Sequence, residues 1–160
     1  MSRKIPKVSQ YGSVDPAPPL LTGQIADWKN SLTDDKTPMF QRMRNVFSLR
    51  NDGSDKACLA LCHGFNSDSA LLRHEVAYVL GQMQNPVAVP KLSEILSNEK
   101  EHVMVRHEAA EALGAIGDYS VVPLLRKFAQ HPMPEISESC EVAIDLLDWC
   151  QTKEYGVTDC

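Results

Sequence analysis

Two segments of this 160-residue chain are copies of one another. Arg73-His74-Glu75-Val76-Ala77-Tyr78-Val79-Leu80-Gly81 returns as Arg106-His107-Glu108-Ala109-Ala110-Glu111-Ala112-Leu113-Gly114, with Arg, His, Glu, Ala, Leu and Gly all displaced by 33 residues. A fixed offset of that size marks a stacked repeat, in which each unit buries its apolar face only against its neighbours. The offset extends beyond the pair: Val89-Pro90 and Leu92 return as Val122-Pro123 and Leu125. Carried forward, it puts Cys140-Glu141 in the place of His107-Glu108, Ala143 in that of Ala110 and Leu146 in that of Leu113. Carried backward, a step of 31 aligns Leu49 with Leu80 and Arg42 with Arg73. About four units follow. The outer two keep the apolar residues and lose the His-Glu dipeptide, as the caps of a solenoid do.

Within the units the pattern is helical. No segment alternates with period two and β-branched clusters are scarce, so the expected fold is all-α: HEAT-like helix pairs forming an α-solenoid. Helices are expected over 24–32, 38–49, 56–65, from the 66–69 cap to Asn85-Pro86, and over 87–97, 104–116, 121–129 and 135–150. Pro90 and Pro123 fit only in a first turn. The buried stripes are Val76, Val79, Leu80 and Met83 in one copy and Ala109, Ala112, Leu113 and Ile116 in the next. Asp15-Pro16-Ala17-Pro18-Pro19 favours extended backbone. Residues 1–20 therefore read as a linker or disordered tail, 21–152 as the repeat domain and 153–160 as a C-terminal tail.

Composition narrows the function. A formal net charge of −5 argues against non-specific nucleic-acid binding and leaves room for a cationic partner. No apolar run approaches the ~20 residues of a membrane span. The basic start, Met1 to Lys7, lacks the apolar core of a secretory signal. Five cysteines, odd in number and without zinc spacing, read as thiols of a cytoplasmic protein.

His74 and His107 fall near the starts of equivalent helices. Neighbouring repeats bring such helices to about 8–10 Å between axes, so two imidazoles can converge on one metal ion. The Glu beside each His is turned by about 100°. One of Glu75 and Glu108 can join the ion while the other faces the groove. Two His and one carboxylate leave positions open for dioxygen, the arrangement of non-haem iron oxygenases. Gly81 and Gly114, seven residues after each His, share its helix face. Each gives either bare backbone beside the metal or room for a neighbouring helix. Arg73 and Arg106 are read as partners of nearby carboxylates, or as holding a ligand in place. No nucleophile triad, phosphate loop or nucleotide fingerprint is visible, so no catalytic side chain is assigned.

Four strings together resemble the deoxyhypusine hydroxylase family: Leu72-Arg73-His74-Glu75-Val76 with Gly81-Gln82-Met83-Gln84; Met104 to Ile116; Ser13-Val14-Asp15-Pro16-Ala17-Pro18-Pro19; and Ser137-Glu138-Ser139-Cys140-Glu141-Val142-Ala143. The family's enzymes are HEAT-repeat di-iron monooxygenases that hydroxylate deoxyhypusine in eukaryotic translation initiation factor 5A to hypusine. They have two similar halves joined by a linker, each with two His-Glu pairs. This sequence resembles the second half, and its Pro-rich start resembles the linker. The resemblance implies Fe(2+) on His74, His107 and Glu108, with Glu75 facing the cationic substrate side chain and Met104 and Gly81 lining its pocket. Which Glu of each pair takes iron is left open, so Glu75 stays among the candidate ligands. The second iron would come from the missing first half or from a second copy in a homodimer. The family usually has Asn-Pro before Met104; here His102-Val103 stands there, which bears on the helix start. The rival expectation is a non-catalytic HEAT-like scaffold that binds a protein in its groove and keeps the His-Glu pairs as relics.

Overall fold

The computed structural model describes residues 5–152. The tail expected over 153–160 lies outside them. Eight α-helices follow in order: α1 (Ile25–Thr33), α2 (Met39–Asp52), α3 (Asp55–Cys62), α4 (Ala70–Met83), α5 (Val89–Ser97), α6 (Val103–Ile116), α7 (Val122–Phe128) and α8 (Pro134–Gln151). No strand occurs among the described residues.

Local chemistry accounts for most boundaries. The Ser54 and Ser69 hydroxyls accept the backbone N–H of Ala57 and Leu72, opening α3 and α4. His102, where a departure was noted, opens α6 by accepting the Met104 N–H on its Nδ1 at 3.2 Å. Asn85 and Asp118 cap short 3₁₀ turns that lead into α5 and α7, with Pro90 and Pro123 in the first turn of each. α6 ends on Gly117 at φ 83°. In the equivalent place α4 ends on Gln84 at φ 48°, a left-handed conformation that costs a side chain roughly 1–2 kcal/mol. Its amide recovers part of this by donating to the Ala115 carbonyl of α6 at 2.9 Å.

The helices form two layers. α2, α4, α6 and α8 lie side by side, and α1, α3, α5 and α7 pack against one face of that row. Leu72, Val76, Val79 and Leu80 of α4 and Val105, Ala109, Ala112 and Leu113 of α6 fill the space between layers, against Leu92, Leu96 and Leu125. The chain is an all-helical HEAT-like solenoid, as the repeat pattern implied. No helix among the described residues is long and apolar enough to cross a membrane.

Three features differ from the sequence reading or decide between its alternatives. The first is register. α4 and α6 begin 33 residues apart, but α8 begins 31 after α6, because α7 has seven residues where α5 has nine. Ile136, Cys140, Ala143 and Leu147 therefore fill the core. Leu146, expected there, is 38 % exposed, and Cys140 faces the core and does not occupy the place of a histidine. The second is the glycines. A Cβ on Gly81 would lie 3.0 Å from the Ala112 Cα, and one on Gly114 would lie 2.9 Å from the Ala143 Cα. Both glycines let neighbouring helices of the row approach closely. The third is the arginines. Arg42 and Arg106 donate from Nε to the Leu32 and Leu96 carbonyls at 2.8 and 2.9 Å, satisfying C-terminal carbonyls of α1 and α5. Arg73 donates to the Ser67 carbonyl and pairs with Glu101 at 2.7 Å. They hold the repeats together.

The proline-rich segment forms no helix, yet it is seated on the repeats. Ala17 is buried, Leu20 N–H donates to Ser48 Oγ at 2.8 Å, and Arg44 donates to the Pro18 carbonyl at 2.9 Å. Arg50, fully buried, accounts for the rest. Its guanidinium holds both Asp15 oxygens at 2.8 and 2.6 Å, donates to Gln82 Oε1 at 3.0 Å, and lies over the Tyr11 and Phe47 rings. A buried guanidinium needs a carboxylate partner, and the segment expected to be a tail supplies it.

Candidate metal centre

The α4–α6 contact sets the site. Both helices turn their apolar stripes toward the layer of α1, α3, α5 and α7, so His74, Glu75 and Tyr78 of α4 and His107 and Glu111 of α6 fall toward the opposite face. Glu108 sits between the helices and is only 7 % exposed. His74 Nε2 lies 3.1 Å from Glu108 Oε2, and His107 Nε2 lies 3.8 Å from the same oxygen. One carboxylate oxygen thus faces an imidazole nitrogen from each of two repeats.

Around this centre the sequence-predicted residues separate. Glu75 opens on a hollow shared with His74, Tyr78, Phe47 and the 13–16 segment. Gly81 borders a cleft of about 470 Å³ with Tyr78, Glu108, Glu111, Val142 and Leu146. Met104 borders a third hollow with His107, Glu111, Glu138 and Ser139. The expected substrate trio of Glu75, Gly81 and Met104 therefore surrounds the His-Glu centre from three sides without sharing one cavity.

Two residues at the site had been given no role there from the sequence. Glu111 Oε1 lies 3.6 Å from His107 Nδ1, and His107, Glu108 and Glu111 offer ligand atoms all within 4.8 Å of one another. Glu111 was legible in principle, one helical turn after His107 on the same face. Ser139 of α8 lies 2.5 Å from His107 Nδ1. Only the 31-residue register of α8 brings it there, and the sequence carries no separate signal for it.

The electrostatics suit a cation. Burial, with Glu111 and Glu75 nearby, pushes the Glu108 carboxyl up to about 7. Burial and then Asp15 push Glu75 up, against the pull of Arg50. Burial and the neighbouring His107 push the His74 imidazole down. Burial is the largest cause at all three groups, so the site disfavours isolated charge of either sign and keeps the His74 nitrogen lone pair free to donate. Neutral imidazoles and a carboxylate are suitable donors for a divalent transition metal.

Comparison with known proteins agrees with this architecture. The family model described as PBS lyase HEAT-like repeat matches residues 72–98 and 105–131. Both His-Glu dipeptides lie inside the matched repeats. Deoxyhypusine hydroxylase of Candida albicans is 47 % identical over 150 residues, covering 91 % of this chain and 47 % of that protein. The Gallus gallus protein of that name is 46 % identical over 96 % of this chain and 52 % of its own length, and the Homo sapiens protein 46 % over 89 % and 47 %. The solved structure of human deoxyhypusine hydroxylase in complex with glycerol superposes with a TM-score of 0.86 over 91 % of this chain and 50 % of that one. The chain is a homologue of deoxyhypusine hydroxylase, and it spans about half the length of the curated relatives it matches.

Proposed function

We propose that this chain forms half of an iron-dependent monooxygenase that hydroxylates the deoxyhypusine side chain of the precursor of eukaryotic translation initiation factor 5A. The observation that carries the reading is the convergence of His74 and His107, from successive repeats, on one oxygen of Glu108. The homology to deoxyhypusine hydroxylase supports the reaction class. His74 Nε2, His107 Nε2 and Glu108 would hold the ferrous ion, which supplies dioxygen activation when bound.

The other residues have separable tasks. Glu75, on the neighbouring helix face, presents a carboxylate to a cationic side chain entering beside His74. Its partly buried position strengthens that attraction over what bulk water would allow. Met104 and Gly81 border the flanking hollows, and Tyr78, Val142 and Leu146 add apolar surface for the methylene chain of the substrate. Arg106, through the Leu96 carbonyl, and Gly81 and Gly114, through close helix packing, fix the spacing on which the convergence depends.

Two His-Glu pairs suffice for one iron. A di-iron site takes its second iron from the other half of a longer protein or from a second copy facing this one about a two-fold axis. The test loads the purified chain with ferrous iron, separates monomer from dimer, and assays each with the deoxyhypusine-bearing protein and oxygen. Turnover by the dimer alone, or on adding the other half, with loss in His74→Ala or His107→Ala, supports the reading. No turnover under any of these conditions contradicts it, and a protein without stoichiometric iron fits the scaffold reading instead.

A further inference from the structure

His107 has two sides on which a metal ion could sit. Its Nε2 faces Glu108 Oε2 at 3.8 Å, with His74 beyond, and its Nδ1 faces Glu111 Oε1 at 3.6 Å. Both carboxylates belong to the compact His107, Glu108 and Glu111 cluster, so carboxylate spacing alone does not choose between them. Ser139 does. Its side-chain oxygen lies 2.5 Å from His107 Nδ1 and 2.7 Å from the Glu135 carbonyl, one turn back in α8.

A serine hydroxyl has one hydrogen. The Glu135 carbonyl oxygen can only accept, so that hydrogen points to Glu135. Toward His107 the hydroxyl is left with lone pairs, and it can only accept in turn. The Nδ1 of a neutral His107 must therefore carry the ring proton, and Nε2 is left with its lone pair bare. Glu111, the other neighbour of Nδ1, is also an acceptor and agrees with this assignment. Ser139 is 5 % exposed, so water does not compete for the contact.

We infer that Ser139 is a positioning residue: it accepts a hydrogen bond from His107 Nδ1, fixes the tautomer of the ring, and commits the metal to the Nε2 side shared with Glu108 and His74. The inference rests on the proposed metal site and specifies which side of His107 forms it. A metal-binding histidine commonly donates its other ring N–H in this way, and losing that partner costs about 10–100-fold in metal affinity.

The test compares wild type, Ser139→Ala and Ser139→Thr. Thermal melts first establish that each is folded. In the metal-free proteins, two-bond proton–nitrogen correlation spectra read the His107 tautomer under conditions where the ring is neutral. Anaerobic titration with ferrous ion then reads affinity. Wild type is expected to show Nδ1–H alone. Ser139→Ala should show the Nε2–H form and an affinity lower by about 10–100-fold. Ser139→Thr keeps a hydroxyl on the same carbonyl and should restore both readouts. An Nε2–H tautomer in wild type, or Ser139→Ala with unchanged tautomer and affinity, overturns the inference. If wild type shows the Nδ1–H tautomer and binds no ferrous ion, the metal reading fails and the commitment of a metal to Nε2 fails with it, while the hydrogen bond stands.

Discussion

Glu108→Gln should stabilise the metal-free protein above neutral pH while abolishing its affinity for iron. The carboxyl is 7 % exposed and its pKa is pushed from 4.5 up to about 7, first by burial and then by Glu111 and Glu75. Because the folded value lies above the unfolded one, this group's contribution to stability is fully present below 4.5 and is lost as pH rises through 7. At about 1.4 kcal/mol per pKa unit, full ionisation costs on the order of 3–4 kcal/mol. A glutamine at this position keeps the shape and an acceptor for His74 and carries no charge to bury. Urea unfolding of chelator-treated protein at about pH 5.5 and pH 8 should show the wild type losing stability between the two pH values. The variant should lose less, and at the higher pH it should exceed wild type by about 3 kcal/mol. Excess ferrous ion should reverse the order, because only a chain that binds the ion gains from mass action. If Glu108→Gln is the less stable protein at the higher pH without metal, the carboxylate is a satisfied structural partner of His74 and the reasoning is refuted.

Two further outcomes follow from the packing. Gly114→Ala would put a Cβ 2.8 Å from Ala143 Cβ and 2.9 Å from its Cα, so thermal melts should show a loss of about 1–3 kcal/mol despite the better helix propensity of Ala. A gain would mean that the helices are less tightly opposed than described. Asp15→Ala leaves the Arg50 guanidinium buried without its carboxylate and should cost about 3–5 kcal/mol in denaturant unfolding. A loss below about 1 kcal/mol would show that the 5–20 segment is not held on the repeats as described.

The sequence carried the helices because their determinants are local. Apolar stripes such as Val76, Val79 and Leu80, first-turn prolines at 90 and 123, and caps at Ser69 and Asn85 act within a few residues of where they stand. The His74 and His107 pairing was legible because the repeat duplicates it in register. What escaped the reading depends on how helices meet. Leu146 and Cys140 were misplaced because two residues missing from α7 reset α8, and one residue of slippage turns a helix face by about 100°. Ser139 was invisible for the same reason. The arginines were ambiguous because an Arg that satisfies a carbonyl ten residues away looks, in sequence, like one that holds a ligand. The stretch around Asp15 looked detached because its partner, Arg50, stands 35 residues on.

Iron stoichiometry tests the central claim most directly. The purified chain, reconstituted anaerobically with ferrous iron and freed of excess, should retain about one ion per chain, as three protein ligands on one centre require. His74→Ala and His107→Ala should each fall to background while remaining folded. Iron retained undiminished in both variants, or none retained by the wild type, would contradict a centre built where two repeats meet at Glu108.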